Sequence, residues 1–282
     1  MKCLALENRG LVGITGEDAQ SLLQDVISCG VDDLPDGVAR PGALLTPQGK
    51  IMFAFLISRD GSNRFLFDMN RDQIAGFVQR MTMYRLRAKA DFETIEDQSV
   101  HAVWDTSREP DFLVDSRFRG DTPVFRTYGP VRPATASQED YDRLRVENGV
   151  AEAQADYALS DAFPHDVLLD LNDGVSFKKG CFVGQEVVSR MQHRAMARRR
   201  IVILHAKAPL PATGTALTSA GRNIGTLGTV SGTTALALAR VDKIASAVDG
   251  NVPLMAGDVA VAASLPAWTG LSFPTADAAK EV

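Results

Sequence analysis

FKKGCFVGQEVVSRM, residues 177–191, sets a cysteine directly after Lys-Lys-Gly and just before a run of helix formers. A thiol becomes a nucleophile or a metal ligand when its thiolate is stabilised, commonly by neighbouring cations or a helix N-terminus. Lys178 and Lys179 supply the cations. The good helix formers after Gly184 predict a helix whose unsatisfied N–H groups lie near Cys181. Gly180 and Gly184 bracket the thiol and permit tight turns or close approach of a ligand. The bland alternative is a small buried hydrophobe, the usual fate of a lone cysteine. Local chemistry leaves both open.

The other two cysteines, Cys3 and Cys29, are far away in sequence, and none of the three lies in a CxxC or CxxH spacing. Such a set argues for free thiols in a reducing compartment, against a disulfide framework, and against a local metal site. With 282 residues, 45% hydrophobic and 23% charged, the chain is expected to be globular, with two or three packed units. No apolar run approaches the ~18 residues that span a bilayer, so no membrane partner is expected. The first sixteen residues resemble neither a signal peptide nor an Arg- and Ser-rich transit peptide. The expected location is therefore a bacterial cytoplasm. Residues 178–200 carry seven Lys or Arg against Glu186, a local +6 in a chain of net −5. That segment could attract a polyanionic ligand tail, a phosphate or RNA, or it could be a solvated face.

Working outward, apolar positions 19, 22, 23, 26 and 27 predict a one-sided helix over residues 15–31, capped by Thr15 and closed by Gly30. Residues 50–58 and 64–69 flank Asp60-Gly61-Ser62-Asn63 and predict a hairpin. Asn70 is placed to cap a helix carrying Ile74, Phe77, Val78 and Met81. Further strands are expected at 89–95 and 100–105. This order points to an α+β layer with a mostly antiparallel sheet. GPVRPATA, residues 129–136, marks a connection, followed by a helix from Ser137 to Asn148 with Gly149 beyond it. HAKAPLPATG, residues 205–214, marks a second boundary. Beyond it short apolar runs punctuated by Gly214, Gly221, Gly225, Gly228 and Gly232 predict a small β-barrel, and the last ten residues a loose tail.

The string Lys179-Gly180-Cys181-Phe182-Val183-Gly184-Gln185-Glu186 resembles the K-G-C-[FY]-x-G-Q-E signature of the YgfZ family of folate-binding proteins. These are relatives of the glycine cleavage T-protein, and their eukaryotic members are mitochondrial iron–sulfur cluster assembly factors. Leu45-Thr46-Pro47-Gln48-Gly49-Lys50 resembles the family's early hairpin entry, and Arg145-Val146-Glu147-Asn148-Gly149 its R-x-E-x-G segment. The resemblance implies an α+β, T-protein-like three-part fold: two interleaved subdomains and a C-terminal β-barrel around a central folate site. The expected division is 1–204, with the hairpin part at about 41–130, and 205–282 for the barrel.

The resemblance also assigns roles. Cys181 is the working thiol, with Lys179 holding its thiolate or an anionic ligand. Gln185 and Glu186 orient the loop, or simply form a first helical turn. Glu147 falls where relatives place a carboxylate against the pterin, whose amidine-like edge donates two hydrogen bonds. Tyr141 aligns with an aromatic that stacks on the folate. Arg9 stands where the family carries another aromatic; it could stack its guanidinium or pair with a glutamate carboxylate. His165, in Phe163-Pro164-His165-Asp166, is expected in a solvated loop.

The implied function is assembly or repair of iron–sulfur enzymes, including tRNA-thiolating ones. Tetrahydrofolate or a derivative is the implied cofactor, and iron–sulfur enzymes or assembly machinery are the implied partners. A monomer is expected, with no resident metal, no turnover of its own and at most indirect RNA contact. The alternative is a T-protein-like, folate-dependent aminomethyltransferase. The signature cysteine tells against it, because the T-protein does not need that residue.

Overall fold

The apolar runs in KIMFAFLIS and RFLFDM form a hairpin buried on both faces over residues 55–58 and 65–69, and that hairpin sits inside a large sheet. The computed structural model describes residues 1–193 and 197–274. Strands β1 (Lys2–Ala5) and β2 (Arg9–Thr15) precede helix α1 (Ala19–Val26). Strands β3 (Val38–Leu45), β4 (Ile51–Arg59) and β5 (Arg64–Asn70) lead into helix α2 (Ile74–Arg85). Strands β6 (Asp91–Ile95), β7 (Ser99–Trp104), β8 (Leu113–Asp115) and β9 (Val124–Gly129) complete the set. The strands form one nine-stranded sheet in the order β1-β7-β9-β8-β3-β4-β5-β2-β6. Its pairs are antiparallel except β3 with β8.

The apolar stripes of α1 and α2 meet the sheet through Leu22, Leu23 and Val26 and through Ile74, Phe77 and Met81. Phe55, Phe67 and Phe77 stack with ring centroids 4.8–5.7 Å apart. Each such ring contributes about 1.5–3 kcal/mol through burial. The expected cap at Asn70 is present: its side chain accepts from the Asp72 N–H at 3.1 Å, before a short 3₁₀ turn that leads into α2.

The first helix departs from expectation. It covers eight residues rather than seventeen; Thr15 ends β2 and Gly30 lies beyond the helix. Asp18, at its start, uses its carboxylate on the Lys89 N–H at 2.8 Å instead of capping the helix. At the other end Ile27 pairs with Leu44 of β3, which pulls the chain out of helical geometry.

By its internal contacts the chain divides into two units, and both are discontinuous in sequence. One is Met1–Gln138 with Leu169–Val187, the other Glu139–Leu168 with Val188–Val282. The second begins within helix α3 (Gln138–Asn148). After helix α4 (Gln185–His193) come strands β10 (Arg199–Ala206), β11 (Ala216–Ser219), β12 (Arg222–Ser231) and β13 (Thr234–Arg240). Helix α5 (Val241–Asp249) and strands β14 (Leu254–Ala256) and β15 (Val259–Ser264) follow. These six strands close a barrel in the order β10-β13-β12-β11-β14-β15. Ala235, Ala237 and Ala239 face inward along β13 and leave room for Val202, Leu217 and Leu227. The expected boundary at residue 205 falls inside the barrel's first strand, because β10 pairs with both β13 and β15. Residues 275–282, most of the expected tail, lie outside the described residues.

Candidate functional site

The signature segment is tied down by the end of α1. Ser28 donates its hydroxyl to the Gly174 carbonyl at 2.6 Å and accepts from the Ala43 N–H at 2.9 Å. Its own carbonyl accepts from the Ser176 N–H at 2.9 Å. Three residues further on, the Lys179 ammonium donates to the carbonyls of Gln24, Ile27 and Cys29 at 2.5, 2.5 and 3.0 Å. The last turn of α1 and the residues just past it thus present the carbonyls of Gln24, Ile27 and Cys29 to one lysine. An ammonium has three protons. All three are engaged, so none remains for a thiolate, and the expected role of Lys179 is replaced by that of a half-buried clamp. Burial lowers its pKa from 10.5 to about 8, with nearby Cys29 and Asp25, Asp32 and Asp33 acting in the opposite direction.

Past the clamp, Phe182 is buried with Lys179 Nζ 5.0 Å from its ring centroid, while Cys181 is exposed. Gly184 then meets the other early motif. In LTPQGK the Gly49 N–H donates to the Thr46 carbonyl and the Thr46 N–H to the Lys50 carbonyl, each at 2.8 Å, which makes a tight turn. Gly49 and Gly184 both have φ of +79°. A Cβ on Gly184 would lie 2.5 Å from the Thr46 carbonyl oxygen. The two motifs therefore touch backbone to backbone. Among the described residues nothing lies within 4 Å of a Cβ placed on Gly180, so space is open beside the thiol.

The three cysteines differ sharply. Cys3 and Cys29 are buried, and burial raises both thiol pKa values, that of Cys29 to about 11. Cys181 alone of the three is exposed. Helix α4 starts at Gln185, four residues beyond it, as the helix formers predicted. Gln185 is half-buried, with its N–H on the Phe182 carbonyl at 3.1 Å, and Glu186 is exposed.

The residues expected around a folate divide. Arg9 is 8% exposed in β2 and its guanidinium is committed to Asp68, through Oδ1 and, at 2.6 Å, the main-chain oxygen. It belongs to a buried chain of charge in which Arg126 lies 3.4 Å from Asp68 and 3.3 Å from Asp115. Asp115 in turn pairs with Arg117 at 2.8 Å. Tyr141 has no exposed surface; its hydroxyl faces Glu152 at 3.3 Å and its ring packs near Arg145. Neither offers a free face for stacking. Glu147 is exposed at the C-terminal end of α3. Arg9, Lys179, Cys181, Gln185 and Glu186 belong to the first unit, Tyr141 and Glu147 to the second.

Other polar residues of the second unit also proved structural. Arg145 reaches Asp156 at 2.9 Å, Asp142 at 2.8 Å and Thr229 of β12 at 2.9 Å, binding α3 and the following loop to a barrel strand. His165 is buried rather than solvated, with Nε2 3.1 Å from Gln192. The basic run is partly spent: Arg199 pairs with Asp161 and Asp166 at 2.8 Å, and Arg200 donates to the His165 carbonyl at 2.7 Å. Arg194 of that run lies outside the described residues. Among the described residues no cluster of His, Cys, Asp or Glu is placed to hold a metal. No helix among them is long and apolar enough to cross a membrane. Ser28 and the carbonyls of Gln24, Ile27 and Cys29 escaped the sequence reading, because a carbonyl that accepts from a distant lysine leaves no mark on residue type.

A wide mixed sheet with a closed six-stranded barrel defines the fold of a glycine cleavage T-protein. The structure matches glycine cleavage system aminomethyltransferase T from Bartonella henselae with a TM-score of 0.65, over 94% of this chain and 85% of that one, at 16% identity. Residues 198–271 match the family described as CAF17, C-terminal beta-barrel domain.

In sequence the chain is similar to proteins named iron–sulfur cluster assembly factor IBA57 homolog, mitochondrial. That of Mycosarcoma maydis is 29% identical over 229 residues and that of Chaetomium globosum 30% over 240 residues. The matches take in 72% and 70% of this chain and 57% and 54% of those proteins, so the chain spans about half their length. Iron–sulfur cluster assembly factor IBA57, mitochondrial, of Mus musculus is 26% identical over 318 residues, covering 97% of this chain and 86% of that protein. These relatives correct the expected location: they are mitochondrial, and the similarity points to the mitochondrion rather than a bacterial cytoplasm.

Proposed function

We propose that this protein is an iron–sulfur cluster assembly factor whose working group is the Cys181 thiol. The observation that carries this reading is the contrast among the cysteines: two sealed in cores, one held in solvent beside a clamped, glycine-flanked loop. The assembly role named for the mitochondrial relatives agrees with it. An exposed thiol at a fixed place can ligate iron, with the remaining ligands supplied by a partner, or take the outer sulfur of a partner's persulfide as that partner's thiolate leaves. The clients in this reading are iron–sulfur enzymes, tRNA-thiolating enzymes among them.

Folate fits the residues first assigned to it only in part. Glu147 presents a free carboxylate, whereas Arg9 and Tyr141 are sealed by their own partners. No step is therefore routed through folate. Calorimetric titration with tetrahydrofolate tests it: Glu147→Gln weakens binding if the carboxylate holds the pterin edge and leaves it unchanged otherwise. The T-protein-like fold supports a second reading, methylene transfer from an aminomethylated carrier to tetrahydrofolate. Robust production of methylenetetrahydrofolate by the purified protein would favour it.

The main test is rescue. In cells lacking the gene, wild type restores iron–sulfur enzyme activity and Cys181→Ala, expressed at the same level, does not. Equal rescue by both would remove the thiol from the function.

A further inference from the structure

The turn between β11 and β12 and the start of α5 enclose a cavity of about 400 Å³ that the thiol chemistry does not use. Its polar lining includes Arg222, Asn223, Arg240 and Lys243, and its apolar floor includes Ile224 and Val252. Among the described residues no acidic side chain lines it. Arg240 is neutralised by Asp242 at 2.8 Å; Arg222 and Lys243 are exposed and form no ion pair among the described residues, although Lys243 acts on the neighbouring Asp242 carboxylate. Asn223 accepts the Gly225 N–H at 2.9 Å through its side-chain oxygen, and its amide carries two N–H donors besides. Lys243 also sits in the first turn of α5, where the helix dipole disfavours a cation. An anion in the cavity relieves both unfavourable terms at once.

A second cavity of about 500 Å³ shares Asn223, Ile224 and Arg240 with the first, and Tyr157, Leu227 and Leu238 contribute to its wall. Arg240 stands in the wall of both, and Asp156 and Asp161 also line the second. Both lie within the second unit.

We propose that the barrel binds a phosphate-bearing small organic molecule, with its phosphate between Arg222 and Lys243 and its organic body over Ile224 and Val252. Guanidinium and ammonium groups both suit phosphate oxygens, and a volume of this size suits a small metabolite rather than a bare ion.

Calorimetric titration of the full chain with adenosine monophosphate, adenosine and inorganic phosphate tests this. Saturable binding of the nucleotide is expected, tighter than that of inorganic phosphate by at least about tenfold and stronger than that of adenosine. The double variant Arg222→Gln, Lys243→Gln should lose at least about tenfold in nucleotide affinity with its melting temperature unchanged, since both side chains are exposed. Absence of saturable nucleotide binding at millimolar concentration, equal binding of adenosine, or full affinity in the double variant each overturns the proposal. None of these outcomes depends on Cys181 or on rescue of iron–sulfur enzymes.

Discussion

Lys179 is the residue on which the signature loop turns, and its effect is measurable. Replacing it by Met strands three carbonyls, and urea unfolding should show a loss of about 1–3 kcal/mol at neutral pH. The pH dependence has a definite sign. The folded pKa of about 8 lies below the ordinary 10.5, so between those values the unfolded chain binds more protons than the folded one. Wild-type stability should therefore rise with pH across that window relative to Lys179→Met; a flat difference would mean the lysine is not desolvated. The two glycines beside the thiol should behave oppositely. Gly184→Ala forces a Cβ into the Thr46 carbonyl at positive φ and should cost about 2–4 kcal/mol. Gly180→Ala meets open space and should stay within about 0.5 kcal/mol of wild type by the same measurement.

At the scale of elements, the hairpin, both flanking helices and the helix after the signature were legible, because each carries its own periodicity or turn residues. The length of α1 was not. Its apolar pattern runs on through Ile27, but that residue is taken by a bridge to Leu44 and its carbonyl by Lys179. Ser28 is the other half of this junction, joining β3 to the segment that leads into the signature. Ser28→Ala leaves the Ala43 N–H and the Gly174 carbonyl without their buried partner and should cost about 1–3 kcal/mol in unfolding experiments. A cost near zero would show that the segment is held by other contacts. Strands β1, β2, β3, β8 and β9 also went unrecognised. Arg9 and Arg126 place charge where a buried strand is expected to be apolar, and buried Asp68 and Asp115 help make that tolerable.

For the molecule as a whole, the motif resemblance supplied the T-protein-like architecture that composition could not. It also carried over residue roles that the packing does not allow: Arg9 and Tyr141 have the right chain positions but are consumed by ion pairing and burial. The barrel boundary was misplaced for a related reason, since a Pro-rich stretch at 205–214 looks like a linker although β10 before it closes the barrel. A fragment beginning at residue 205 lacks most of that strand, and circular dichroism should find it unfolded, whereas a cooperative melt would contradict the observed pairing. The claim beneath the functional reading is that one thiol is presented and two are withheld. Brief alkylation of the native protein, followed by peptide mapping, measures this directly. The expected result is rapid modification of Cys181 with Cys3 and Cys29 unmodified until denaturant is added. Protection of Cys181, or equal labelling of Cys29, would contradict it.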